Sequence, residues 1–184
     1  MSVRLFYRGP LKSNGKPVDK HEIRLKIHPQ LVKLWEQKRM EAFKGYLTKE
    51  GMGKISILYT YGDRDYACLV NDRLELYADL DILFLRPGEP GQLMTHGGDI
   101  DNRLKTLFDA LRRPQNEDEA PKGYQLGQTQ NPCHCVLSDD SLITRFSVTA
   151  DTLLDAESDD EVVLIITVAT KKRKEIIGNM GYMP

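Results

Sequence analysis

The chain has 184 residues, 40% of them hydrophobic and 29% charged, with a formal net charge of −1. That is ordinary for a soluble globular protein with room for one domain and a real core. It excludes a uniformly basic coat, and no apolar run approaches the length that spans a bilayer. The start, Met1-Ser2-Val3-Arg4-Leu5, has no signal-peptide core, so a cytoplasmic location is expected. The three cysteines, Cys68, Cys133 and Cys135, are too few and odd in number for a disulfide framework. Cys133-His134-Cys135 looks like a metal fragment but lacks the second ligand pair of a structural zinc site. Charge is unevenly spread. Residues 1–64 carry 14 Lys and Arg against 6 Asp and Glu; residues 65–184 carry 12 against 21. Such a split fits a polyanion-binding surface beside an acidic metal site, or two solvated surfaces that attract each other.

Val3 to Arg8 alternates apolar and polar residues and predicts a first strand, stopped by Gly9-Pro10. Residues 11–20 form a basic, turn-rich loop in which Lys12, Lys16 and Lys20 can touch phosphates or simply be solvated. Glu22 to Ile27 alternates again and reads as a strand or as the lead-in to a helix that starts at His28-Pro29 and runs to about Phe43, with Trp35 in the core. Tyr46 to Gly53 reads as a loop and Lys54 to Tyr61 as a strand. After a turn at residues 62–65, Tyr66 to Val70 is expected to pair with the segment from Leu74 onward through Asn71-Asp72. A further strand is best placed at Asp81 to Leu85, and residues 87–91, rich in Pro and Gly, break it.

The next stretch, Gly97-Gly98-Asp99-Ile100-Asp101-Asn102-Arg103-Leu104-Lys105, begins with glycines and closely spaced carboxylates and turns into an amphipathic helix. Ile100, Leu104, Leu107, Phe108 and Leu111 fall at i, i+4, i+7, i+8 and i+11, one helical face. Arg112-Arg113-Pro114 closes the helix, and residues 115–135 read as a long polar insert. Asp139-Asp140 follows, then strands at Leu142 to Ala150 and Glu161 to Thr170, the second of them central. Lys171-Lys172-Arg173-Lys174 fringes that strand and offers phosphate contacts. The last ten residues read as frayed or used in assembly, and no second domain separates.

Clustered carboxylates repel and call for a cation, and a hard divalent ion prefers oxygen ligands. If Asp99 and Asp101 meet Asp139 or Asp140 in space, they can hold Mg²⁺, which polarises a phosphate and activates water, while Lys105 offsets the developing charge or orients the water. Each piece also has a plain structural reading. Asp101 or Asn102 can be a helix N-cap, Asp101–Lys105–Asp109 an i, i+4 ladder worth about 0.2–0.5 kcal/mol per pair, and Asp139-Asp140 a turn.

Asp99-Ile100-Asp101-Asn102, Lys105 and Asp109-Ala110-Leu111, followed by Asp139-Asp140-Ser141-Leu142-Ile143, resemble the RusA family of Holliday junction resolvases. That family carries a D-x-D-N-x-x-K-x-x-x-D-A-L stretch and then D-D-x-x-(V/I). The resemblance covers roughly Asp99 to Ala150. It implies a single mixed α/β (α+β) domain with a central mixed sheet and packed helices. It also implies a homodimeric endodeoxyribonuclease acting on four-way DNA junctions with Mg²⁺, for which Mn²⁺ can substitute. Carried over, Asp99, Asp101 and Asp140 are metal ligands and essential acids, Lys105 the catalytic lysine, Asp139 a supporting acid and Asn102 a residue that shapes the site. Phosphate contacts are expected from Lys12, Lys16, Arg103, Arg112 and Arg113, together with the 171–174 run. The chain departs from the family in its longer N-terminal region, its 115–135 insert and its slightly acidic balance. The alternatives are a non-catalytic DNA-binding or assembly protein on the same scaffold, and a metal-dependent phosphohydrolase of another substrate.

Overall fold

The computed structural model describes residues 1–61, 64–88, 100–120 and 131–181. In chain order the main elements are β1 (Ser2–Pro10), α1 (Pro17–Glu36), β2 (Leu58–Tyr61), β3 (Arg64–Val70), β4 (Leu76–Arg86), α2 (Ile100–Leu111), β5 (Cys133–Leu137), β6 (Ile143–Thr152) and β7 (Glu161–Lys172). They build a mixed α+β fold with two mixed sheets. One has the order β1-β7-β4-β6 and the other β2-β3-β5. Among the described residues, no helix is long and apolar enough to cross a membrane.

β7 is the inner strand that its sequence predicts. It runs antiparallel to β1 on one side and to β4 on the other, with Leu5 opposite Ile166 and Ile82 opposite Ile166. Its alternate residues Val162, Leu164, Ile166 and Val168 are wholly buried, each contributing roughly 1.5–3 kcal/mol by leaving water. The same face of β4 buries Leu80, Ile82 and Phe84 against Leu31, Leu34, Leu104 and Leu107 of the helices. β6 joins the far edge of β4 in parallel, with Ile82 opposite Val148. β4 is longer than the predicted Asp81 to Leu85.

Three expectations change. The helix predicted from His28-Pro29 starts at Pro17, so Pro29 lies inside it and residues 22–27 are helical. The true start signal is Pro17 in the first turn, with the Asp19 carboxylate accepting the Lys16 amide at 2.8 Å. Pro29 is tolerated where α1 borders β1. Next to it, the Gln30 side chain donates to the Phe6 carbonyl at 2.7 Å and accepts the Phe6 amide at 2.9 Å. It thus pairs backbone groups of an edge strand. α1 also ends sooner than Phe43, giving way to a 3-10 helix, Lys38–Leu47.

The second change is the partner of β3. It pairs antiparallel with β2 and parallel with β5, not with β4. Asn71-Asp72 does not make a hairpin. The Asn71 side chain accepts the Leu74 amide at 2.9 Å and donates to the Cys68 carbonyl at 3.1 Å, and Glu75 follows with φ 51°. That compact turn carries the chain into the other sheet. β2 itself is shorter than predicted, because residues 52–55 close a tight turn in which a Cβ on Gly51 would strike the Ile55 carbonyl.

The third change is the insert. Cys133-His134-Cys135 belongs to β5, every residue of which is buried beneath α1, and only residues 115–120 and 131–132 of the remainder are described. The tail also folds back, with Asn179 fully buried and donating to the carbonyls of Leu74 and Lys174 at 2.9 and 2.7 Å.

Under α1, the His134 amide donates to Nδ1 of His28 at 3.0 Å, which requires His28 to carry any neutral-state proton on Nε2. Burial pushes the pKa of His21 and of His134 down to about 4. The ordinary value in an unfolded chain is about 6.5. The unfolded chain therefore takes up these protons first, and stability falls as pH drops from about 6.5 towards 4. Urea unfolding midpoints are expected to decline over that window, and to decline less steeply in His134→Gln. Parallel pH profiles for parent and variant would refute the assignment.

Candidate active-site stripe on helix α2

α2 presents its apolar face to the sheet and buries Thr106 and Asp109, on the other side, against the β1–α1 loop and α1, so that only a narrow edge meets solvent. At 3.6 residues per turn, Asp101, Lys105 and Arg112 fall within about 40° of one another around the axis. Asp101 and Lys105 are exposed, whereas Leu104, Leu107, Ala110 and Leu111 are buried. Asp101 also accepts the Asn102 amide at 2.9 Å, and Asn102 itself is half-buried. Asp99, expected as a metal ligand from the resemblance, lies outside the described residues, as do Gly97 and Gly98.

Asp140 joins this stripe at its other end. The turn Asp140–Leu142 packs against α2, and an Asp140 carboxylate oxygen stands 3.8 Å from Nε of Arg112. Asp139 has the simple role of accepting the Ser141 amide at 2.9 Å, which shapes the turn. Among the described residues, which leave out Asp99, no group of three or more His, Cys, Asp or Glu side chains could hold a metal.

The arginines expected to touch DNA are placed differently. Arg103 is 4% exposed, donates to the Leu11 carbonyl at 2.7 Å and stands 3.7 Å from Asp160. Arg112 is 9% exposed and is shared among Asp109 at 2.8 Å, Glu119 at 2.6 Å and Asp140. Arg113 is half-buried, with its guanidinium 4.4 Å over the Tyr59 ring. Burial and inward partners withdraw Arg103 and Arg112 from direct phosphate contact. Lys12 and Lys16 are exposed, although Lys12 bonds Asp19 at 2.8 Å. Lys20 turns inward onto Asp109 at 2.7 Å. In the basic run, Lys171 pairs with Asp79, Lys172 with Glu175 and Arg173 with Glu75.

Asp109 is the hub that the sequence did not distinguish from a surface ladder. Burial pushes its carboxyl pKa up, but the Lys20 hydrogen bond and the charges of Lys20 and Arg112 outweigh that and hold it below the usual range. Beside it, Arg24 of α1 is 2% exposed and donates to the carbonyls of Arg112 and Asp109 at 2.7 and 2.6 Å. These are carbonyls at the end of α2, which have no partner within the helix. The DAL signature was the one clue to Asp109, and nothing local in the sequence pointed to Arg24.

No protein-family model, curated protein or solved structure matches the chain.

The third Asp of the stretch is thus a strut that ties α1 to α2. Asp109→Asn is expected to lower unfolding free energy by about 2–4 kcal/mol, since it removes the carboxylate that Lys20 pairs with and one of the three around Arg112. Urea unfolding measures this, and an unchanged midpoint would contradict the strut role.

Proposed function

We propose that the chain is a Mg²⁺-dependent endodeoxyribonuclease of branched DNA, acting as a homodimer on the pattern of the RusA family. The observation that carries the reading is the exposed Asp101–Lys105 pair, one turn apart on α2, set within a sequence pattern that resembles RusA from Asp99 to Ile143. Carboxylate oxygens are the ligands that Mg²⁺ prefers. Asp99 and Asp101 would hold the ion at the start of α2, where it would supply charge to the phosphate oxygens and acidify a water. Asp140, whose carboxylate stands 3.8 Å from Nε of Arg112, would be the third acid, as the resemblance implies. Lys105, an ammonium on a flexible stem, offsets charge on the scissile phosphate, and Lys16 offers a further cation to the strand.

The pairing of Asp140 with Arg112, which sets a cation beside that carboxylate, favours a second reading. In that reading the scaffold binds junctions without cutting them.

One assay separates the two. The full chain is incubated with a synthetic four-way junction, a linear duplex and a small phosphodiester, each with Mg²⁺, Mn²⁺ or chelator. The expected result is metal-dependent cleavage of the junction that Asp101→Asn lowers about 100-fold, with an unchanged circular dichroism spectrum. Full activity of Asp101→Asn with Mg²⁺ sinks the mechanism. Junction binding with no cleavage by the parent establishes the second reading, and cleavage of the small diester alone points to a different phosphohydrolase.

A further inference from the structure

The basic loop between β1 and α1 is pinned at each of its turns, and two of the pins come from α2. At its start, the Leu11 amide donates to the Asp160 carbonyl at 3.0 Å and the Leu11 carbonyl accepts Nη1 of Arg103 at 2.7 Å. In its middle, the Gly15 amide donates to the hydroxyl of Thr106 at 2.9 Å. Asp19 gathers the rest, accepting the Lys12 ammonium and the Lys16 amide, both at 2.8 Å. The fit is close. A Cβ on Gly15 would come within 2.6 Å of the Thr106 methyl, and Asn14 takes a left-handed φ of 54° to make the turn. Thr106 is 2% exposed and Arg103 is 4% exposed, so neither touches solvent-borne DNA.

These pins fix where the loop's cations stand. Around α2, Thr106 lies about 100° from Lys105 and Arg103 about 160° from it, on the side of the helix where Gly15 and Leu11 of the loop meet them. Lys16 and Lys105 are each one residue away from the Gly15–Thr106 bond. With consecutive Cα atoms about 3.8 Å apart, their Cα atoms stand within about 14 Å, and both side chains are exposed. Phosphates recur about every 3.4 Å of axis along a strand, so two lysines at that separation reach nearby phosphates of one backbone.

We infer that Thr106 and Arg103 are positioning residues that dock the Lys12–Lys16 loop beside Lys105, making the loop and α2 one phosphate-binding surface for the DNA strand that enters the Asp101 end. This rests on the proposed nuclease reading. It replaces the direct phosphate contact expected of Arg103 with an indirect role: the arginine holds the lysines in place.

The test compares Thr106→Val, which keeps the shape and removes the acceptor, with Thr106→Ser, which keeps the hydroxyl. Junction affinity is measured by fluorescence anisotropy over a range of salt concentrations, and cleavage is measured with Mg²⁺. Thr106→Val is expected to weaken binding about tenfold and to lower the slope of log K against log salt by about one contact. KM is expected to rise with kcat within about twofold, and Thr106→Ser to behave as the parent. Lys16→Gln, a surface change that leaves folding intact, is expected to reproduce the loss of affinity and slope. Parent-like affinity and salt slope in Thr106→Val, or in Lys16→Gln should the Val variant fail to fold, overturn the inference while cleavage by the parent leaves the nuclease reading standing. A parent that binds no junction overturns both.

Discussion

The placement of α2 depends on the buried guanidinium of Arg24. A helix leaves its last carbonyls without partners, and burying them unpaired would cost about 1–3 kcal/mol each. Arg24 answers two of them, Asp109 and Arg112, from the neighbouring helix. A cation at a helix C-terminus is also favoured by the helix dipole. Lys20, one turn earlier on α1, reaches the Asp109 carboxylate. Two cations of α1 therefore fasten the C-terminal end of α2, and because a helix is stiff, that fastening sets the direction in which Asp101 and Lys105 project.

The opposite half of α2 is held by the β1–α1 loop through Arg103 and Thr106. Its apolar face is held by the four-stranded sheet, where the ring of Phe108 meets Phe146 of β6 edge-on at 5.2 Å. Each side of the stripe is thus fixed by a different part of the chain. Arg112 links the stripe to the start of the insert as well, since Glu119 binds Arg112 and also accepts the Gln115 amide at 3.0 Å. The beginning of the insert is part of the site's support.

Part of the uneven charge of the sequence is answered by pairs between its halves. Arg8 meets Asp155 and Glu161, Lys20 meets Asp109, and Lys49 stands 3.6 Å from Asp65. Their main effect is to consume cations that a sequence reader assigns to DNA. Lys16 and Lys105 keep their exposure, and they are the cations that the proposed function uses.

Local pattern determined β1, β7 and α2, because each has a period matching its element and one face that must be buried. Val162 to Val168 alternates against the core, and Ile100 to Leu111 keeps one helical face. The acidic turn at Asp139 was legible for the same local reason, as its carboxylate binds an amide two residues on. Tertiary structure decided what local pattern leaves open. Pro17 and Pro29 are both plausible helix starts, and the border with β1 decided between them. Asn71-Asp72 suits a hairpin or a crossing turn, and the partnership of β3 with β5 decided that. An arginine on α2 can face water or protein, and only the loop packed over Arg103 and the helix beside Arg112 turned both inward. Whether Asp101 and Asp140 converge is likewise a distance between segments remote in the chain, which local pattern cannot fix.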